Sequence, residues 1–114
     1  MQKLPLKFFT TLEGRQPVRD WLLGLPEQER KVIGNDIRTL QYGWPLGMPL
    51  VRKLEDGLWE VRVSFPTRIA RVIFTLFTDN SNIQTAVLLH GFIKQSQKTP
   101  LTDLQTARQR KALI

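Results

Sequence analysis

The spacing of apolar residues changes at a loop rich in glycine and proline, GWPLGMP (43–49). Ahead of that loop the spacing is helical. Gln16-Pro17 opens one helix, since proline is tolerated in a first turn, and Val18, Trp21, Leu22 and Leu25 form its apolar stripe. Leu25-Pro26 breaks that helix and starts a second. Its first turn carries Glu27 and Glu29, where the helix dipole favours anions. Ile33, Ile37 and Leu40 then line one face, and Gly43 ends it. The two make a helical hairpin, although Gly34 weakens the second arm by about 1 kcal/mol relative to alanine. Before the hairpin, LPLKFF (4–9) reads as a strand that Pro5 confines to an edge or a strand start.

After the loop the period becomes two. VRKLED (51–56) predicts a strand, and Asp56-Gly57 a tight turn into LWEVRVS (58–64). In that strand Trp59, Val61 and Val63 face one way, and Glu60, Arg62 and Ser64 the other. RIARVIFTLF (68–77) is a long apolar strand interrupted by Arg71. DNSN (79–82) turns the chain into IQTAVLLHGFI (83–93). Thr99-Pro100 reads as a helix N-cap followed by proline at the first helical position. Leu101, Leu104 and Ala107 are the expected stripe of the closing helix, with Arg108, Arg110 and Lys111 near its C-terminus. The order β-α-α-β-β-β-β-α, with hairpin links late in the chain, predicts an α+β fold. An N-terminal strand and helical hairpin pack on a largely antiparallel sheet, and a C-terminal helix closes it.

Composition narrows the class. A chain of 114 residues with 41% apolar and 24% charged side chains reads as a single folded domain over residues 1–114. The absence of cysteine removes disulfides and thiolate metal sites. With one histidine and scattered carboxylates, neither a metal centre nor a cofactor motif is expected. No apolar run is long enough for a signal peptide or a membrane span, so a cytoplasmic location and no membrane partner are expected. Charge adds more: 17 Lys and Arg against 10 Asp and Glu give +7. Residues 51–114 carry ten basic and five acidic side chains, a net +5, against +2 for residues 1–50. Nucleic acid or an acidic protein is the natural partner of so basic a domain.

The polar residues that interrupt the strand pattern are the candidate chemistry. If the last three strands adjoin, Glu60, Arg62, Arg71, His90 and Lys94 converge on one face, provided no bulge inverts the phase. Each residue also has a plainer reading. Arg71 and Glu60 make a structural ion pair, Arg62 a solvated strand face, and His90 a hydrogen-bonded spectator. Phe92 is either core or a stacking platform for a base, and Lys94 and Lys98 are surface lysines.

LWEVRV, ARVIF, LLHGFIKQSQKTP and the helix opening TPLTDLQTA together resemble the RelE/ParE toxin superfamily, more narrowly its phage-type, HigB-like branch. The resemblance covers nearly the whole chain. It implies the toxin of a type II toxin–antitoxin system that cleaves mRNA in the ribosomal A site without a metal. Its partners would be mRNA, the ribosome and a cognate antitoxin, expected to be a small helix-turn-helix protein. Carried over by position, it assigns catalysis to Arg71, Lys94, Glu60 and His90. Substrate contacts are expected of Arg62 and Phe92 and, beyond the residues carried over, of Lys98 and Arg68. Two features depart from the pattern. Glu60 stands where some relatives have a second basic residue, and the sole tyrosine, Tyr42, is remote from the closing helix. Two other functions remain open: a ParE-like gyrase poison that acts by binding, and a plain RNA- or ribosome-binding module.

Overall fold

The computed structural model describes residues 3–94 and 98–114, so the QSQ of the LLHGFIKQSQKTP stretch (95–97) lies outside the described residues. Eight elements follow in the expected order: β1 (Leu6–Phe8), α1 (Pro17–Leu23), α2 (Glu27–Gly43), β2 (Val51–Glu55), β3 (Leu58–Ser64), β4 (Ile69–Thr78), β5 (Gln84–Lys94) and α3 (Leu101–Lys111). The strands form one sheet in the order β1-β5-β4-β3-β2. Hairpin connections make β2 to β5 antiparallel, whereas β1 runs parallel to β5 at the edge, where Pro5 is tolerated.

β4 and β5 are central and covered on both faces, which explains why they read as nearly continuous apolar runs rather than clean alternations. On one face the helical hairpin packs Val18, Ile33, Ile37 and Leu40 against Val61, Val63, Val72, Phe74 and Leu88. Trp44, just past α2, sets its ring edge-on to Trp59 and Phe74, with centroids 5.7 Å away in each case. On the other face α3 covers a smaller core of Leu58, Ile73, Val87, Leu89, Phe92 and Ala107. Gly57 supplies the positive φ (81°) that the β2–β3 turn needs, and Asn82 does the same (64°) between β4 and β5.

The closing helix differs from expectation in two respects. Pro100 occupies the N-cap position and the helix begins at Leu101, so Thr99 does not cap it. The Thr99 hydroxyl instead donates to Glu60. Leu101 is exposed and Ala107 alone is fully buried, so the expected apolar stripe is short. Polar contacts do much of the attachment. Arg108 grips Glu55 through Nε and Nη2 at 2.6–3.2 Å, and Arg110 donates to the Leu89 carbonyl at 2.8 Å.

Gly91 has a different constraint. A Cβ there would run into the six-membered ring of the Trp21 indole, which packs against β5 from α1. Gly91→Ala is therefore expected to destabilise the fold by about 1–3 kcal/mol, the usual range for overpacking. Urea unfolding should show a lower midpoint with an unchanged slope, and Trp21→Leu should recover part of the loss in the double variant.

Candidate functional site

Two irregularities in the sheet decide which side chains share the α3 face. Between Ile73 and Phe74 the β4–β5 register shifts by one, leaving Leu89 as the extra residue of β5. Val87 and Leu89 face α3; without the shift, His90, Phe92 and Lys94 would face the helical hairpin. With it, Ile73 opposes His90, Arg71 opposes Phe92, and Ile69 opposes Lys94. A second shift between Lys53 and Glu55 sets Arg52 opposite Glu60. Across β3 and β4, Glu60 faces Ile73 and Arg62 faces Arg71. Arg52, Glu60, Arg62, Arg71, His90, Phe92 and Lys94 thus occupy one face.

Its centre is nearly closed to solvent. Glu60 is 0% exposed and Arg71 1%. One Glu60 oxygen accepts from Arg71 Nη1, and the other accepts from the Thr99 hydroxyl at 3.0 Å. Burial lowers the Arg71 pKa from its ordinary value; Glu60 opposes that shift, while Arg62 and Arg52 reinforce it. Lys94, 9% exposed, is also pushed below the usual lysine value, chiefly by burial and then by Arg71, with Glu60 pulling the other way. One carboxylate therefore faces four cations, and those cations repel one another. Arg62 and Arg71 oppose each other directly, an arrangement that costs stability in a sheet. Among the described residues, the Nε–H groups of both arginines are buried and have no hydrogen-bond partner. An unmet buried donor costs about 1–3 kcal/mol, more when charged. Both donors belong to residues that are register partners across β3 and β4.

The remaining expected residues fall in different places. His90 Nε2 lies 2.6 Å from Asp103 Oδ1, and His90 Nδ1 lies 3.4 Å from Arg110 Nη1. With the proton on Nε2, the ring donates to Asp103 and accepts from Arg110, so both nitrogens are engaged within the protein. Phe92 is 8% exposed, belongs to the small core and stacks on His90 at 5.5 Å between centroids, leaving no open ring face for a base. Lys98 is exposed just before Thr99. Arg68 is not brought to the set: Glu29 of α2 holds it through contacts of 2.5 and 3.1 Å.

Arg52, Thr99, Asp103 and Arg110 join the site without having been anticipated. A plain two-residue hairpin would pair Arg52 with Val61 and turn it to the other face; only the register shift brings it to Glu60. Thr99 carried a signal, since a threonine before proline is a hydrogen-bonding position, but its acceptor is 39 residues away rather than the adjacent helix. Asp103 is an acidic residue in the first turn of α3, and nothing local distinguishes it from a residue favoured by the helix dipole. Among the described residues no three His, Asp or Glu side chains gather as they would to hold a metal. Nor is any helix among them long and apolar enough to cross a membrane.

A family model described as "Phage derived protein Gp49-like (DUF891)" matches residues 20–112, from within α1 to just past α3, and so includes every residue of this face. No curated protein matches the chain. With a match over most of its length, the chain belongs to the phage-derived Gp49-like protein family, a type II toxin family of the RelE/HigB-like type.

Proposed function

We propose that this chain is the toxin of a toxin–antitoxin pair and acts as a ribosome-dependent mRNA endonuclease that needs no metal. The observation that carries the reading is the pair of buried Nε–H groups on Arg62 and Arg71 that have no partner among the described residues, on the same face as a desolvated Lys94. In RNA cleavage by the 2′-OH, the 2′-oxygen bonds to phosphorus and gives its proton to water at the substrate. The P–O5′ bond breaks and the 5′-oxygen takes up a proton, by way of a pentacoordinate phosphorane that bears extra negative charge. Fixed donors aimed at such oxygens, in a site without water, are each worth about 10²–10³ in rate. Arg71 and Arg62 suit a forked contact with phosphate oxygens, and Lys94 a point charge.

Glu60 acts as a brace in this scheme. Both its oxygens are engaged and no water reaches it, so it fixes Arg71 rather than taking the 2′-OH proton. His90 is likewise held by Asp103 and Arg110 and orients the α3 side of the face. A site rich in cations, with no free base among the described residues, depends on its substrate arriving in line, and the ribosomal A site can impose that geometry.

The test is purified protein with a defined mRNA, with and without translating ribosomes, the cuts being mapped by primer extension. Cleavage on ribosomes and little on free RNA is expected. Efficient cutting of naked RNA would remove the ribosome from the scheme. In cells, protein synthesis should fail before DNA synthesis after induction; the reverse order would favour a gyrase poison.

Two variants examine the electrostatics. Arg71→Met should abolish cleavage and also cost about 3–5 kcal/mol of stability, because it strands a buried carboxylate. Adding Glu60→Leu should restore much of that stability in urea unfolding without restoring cleavage, which separates folding from catalysis. Lys94 sets a pH limb. Its folded pKa lies below the usual lysine value, and its charged form is the one required. Activity is therefore full below that folded pKa and falls as pH rises through it, earlier than an ordinary lysine would dictate. Lys94→Arg should move that limb to higher pH in the same ribosomal assay.

A further inference from the structure

Sulfur is scarce in this chain, which has no cysteine and only two methionines, Met1 and Met48. Met48 lies in the loop between α2 and β2 and is 59% exposed. Backbone bonds fix that loop beside β3. Val51 donates to the Gly47 carbonyl at 3.1 Å, and the Arg62 backbone N–H donates to the Leu50 carbonyl at 2.7 Å. Met48 is thereby held at Arg62, whose Nη1 donates to the Met48 Sδ at 3.3 Å.

That contact is unequal. A guanidinium is a charged donor with five N–H groups, whereas a thioether sulfur is a weak acceptor. Among the described residues Arg62 has no ion pair, since Glu60, the carboxylate on its face, is taken up by Arg71 and Thr99. Its buried Nε–H has no partner among them either. Arg62 thus keeps most of its hydrogen-bonding capacity in reserve, and a stronger acceptor at the Met48 position would draw on it. Oxidation supplies that acceptor, because a sulfoxide replaces a soft apolar atom by a polar S=O group.

We infer that Met48 is a site of oxidation by hydrogen peroxide, and that its sulfoxide captures Arg62. In the reaction a sulfur lone pair attacks one peroxide oxygen, and the S–O bond forms as the O–O bond breaks. The departing hydroxide takes up the proton left on the transferred oxygen and leaves as water. Sulfur is oxidised by one electron pair, which the peroxide receives. The methionine side chain is unbranched and exposed, so it turns the new oxygen onto Nη1 without disturbing the core. The consequence for activity rests on the reading of Arg62 as a contact to phosphate. A guanidinium that already holds a sulfoxide must release it before offering a fork to phosphate oxygens.

The experiment treats the whole chain with hydrogen peroxide. Peptide mapping by mass spectrometry, which separates Met48 from Met1, should find one added oxygen on Met48, gained about as fast as by free methionine. The Arg62 side-chain N–H resonances should shift and exchange with water more slowly. Methionine sulfoxide reductases of both stereospecificities should return them to their starting positions. Met48→Leu, at an exposed position, should keep the basal activity and lose both responses. In the ribosomal assay oxidation should raise KM about 10-fold with kcat little changed, the effect of one charge-assisted hydrogen bond that must be given up. Oxidation far slower than that of free methionine, Arg62 resonances that stay in place, or an equal loss of cleavage in treated Met48→Leu would each overturn the inference. Shifted resonances with an unmoved KM would remove Arg62 from the substrate contacts and leave its capture standing. An unoxidised chain that cuts no mRNA removes the nuclease reading instead, and the resonances alone then decide the capture.

Discussion

A carboxylate shut away from water needs cations, and Glu60 is met by Arg71 from the neighbouring strand and by the Thr99 hydroxyl from the segment before α3. Three parts of the chain are registered by that one group: the middle of β3, the middle of β4 and the approach to α3. The pair offers little net stability compared with an apolar isostere, because two buried charges must first lose their hydration. What it provides is placement. Arg71 is held opposite Arg62, and the Nε–H of neither has a partner among the described residues. The surplus of positive charge is thus built into the sheet, where Coulomb interactions are weakly screened, rather than spread over flexible surface side chains.

The architecture was legible because each level of the sequence agreed with the others. Helical spacing in 17–43, alternation in 58–64, and turn residues at Asp56-Gly57 and at 79–82 all describe the same fold. The site was legible only in part. Grouping Glu60, Arg62, Arg71, His90 and Lys94 on one face required a correct phase for β5, and a register shift at Leu89 inverts the phase along that strand. The upstream residues Val87 and Leu89, projected forward by simple alternation, give the wrong face. His90 onward, read by itself, gives the right one. Arg52 was invisible for the same reason, since its facing depends on a shift between Lys53 and Glu55 that no residue type announces. Phe92 shows another limit: phase places it beside Lys94, but only packing shows that His90 and α3 cover its ring.

Both shifts also explain how α3 is held. At each of them two neighbouring residues turn towards the helix, one apolar and one polar. Leu54 and Leu89 join the small core, while Glu55 and His90 reach Arg108 and Asp103. Glu55 is stabilised in its charged form by the Arg108 guanidinium, which holds its pKa below the ordinary carboxylate value. The helix buries little apolar surface of its own, so its position over the sheet is set by directional contacts at two points rather than by a broad greasy face.

The contact of Trp21 with the backbone of Gly91 reaches beyond packing. Gly91 lies between His90 and Phe92, so the indole on one side of the sheet and the functional face on the other share a single peptide thickness. At close-packed density a displacement of α1 has nowhere to dissipate before it reaches that peptide. Residues of α1 that never approach the cationic face therefore bear on it from behind. A family that varies its α1 sequence would possess an adjustment for the site that leaves every charged group in place.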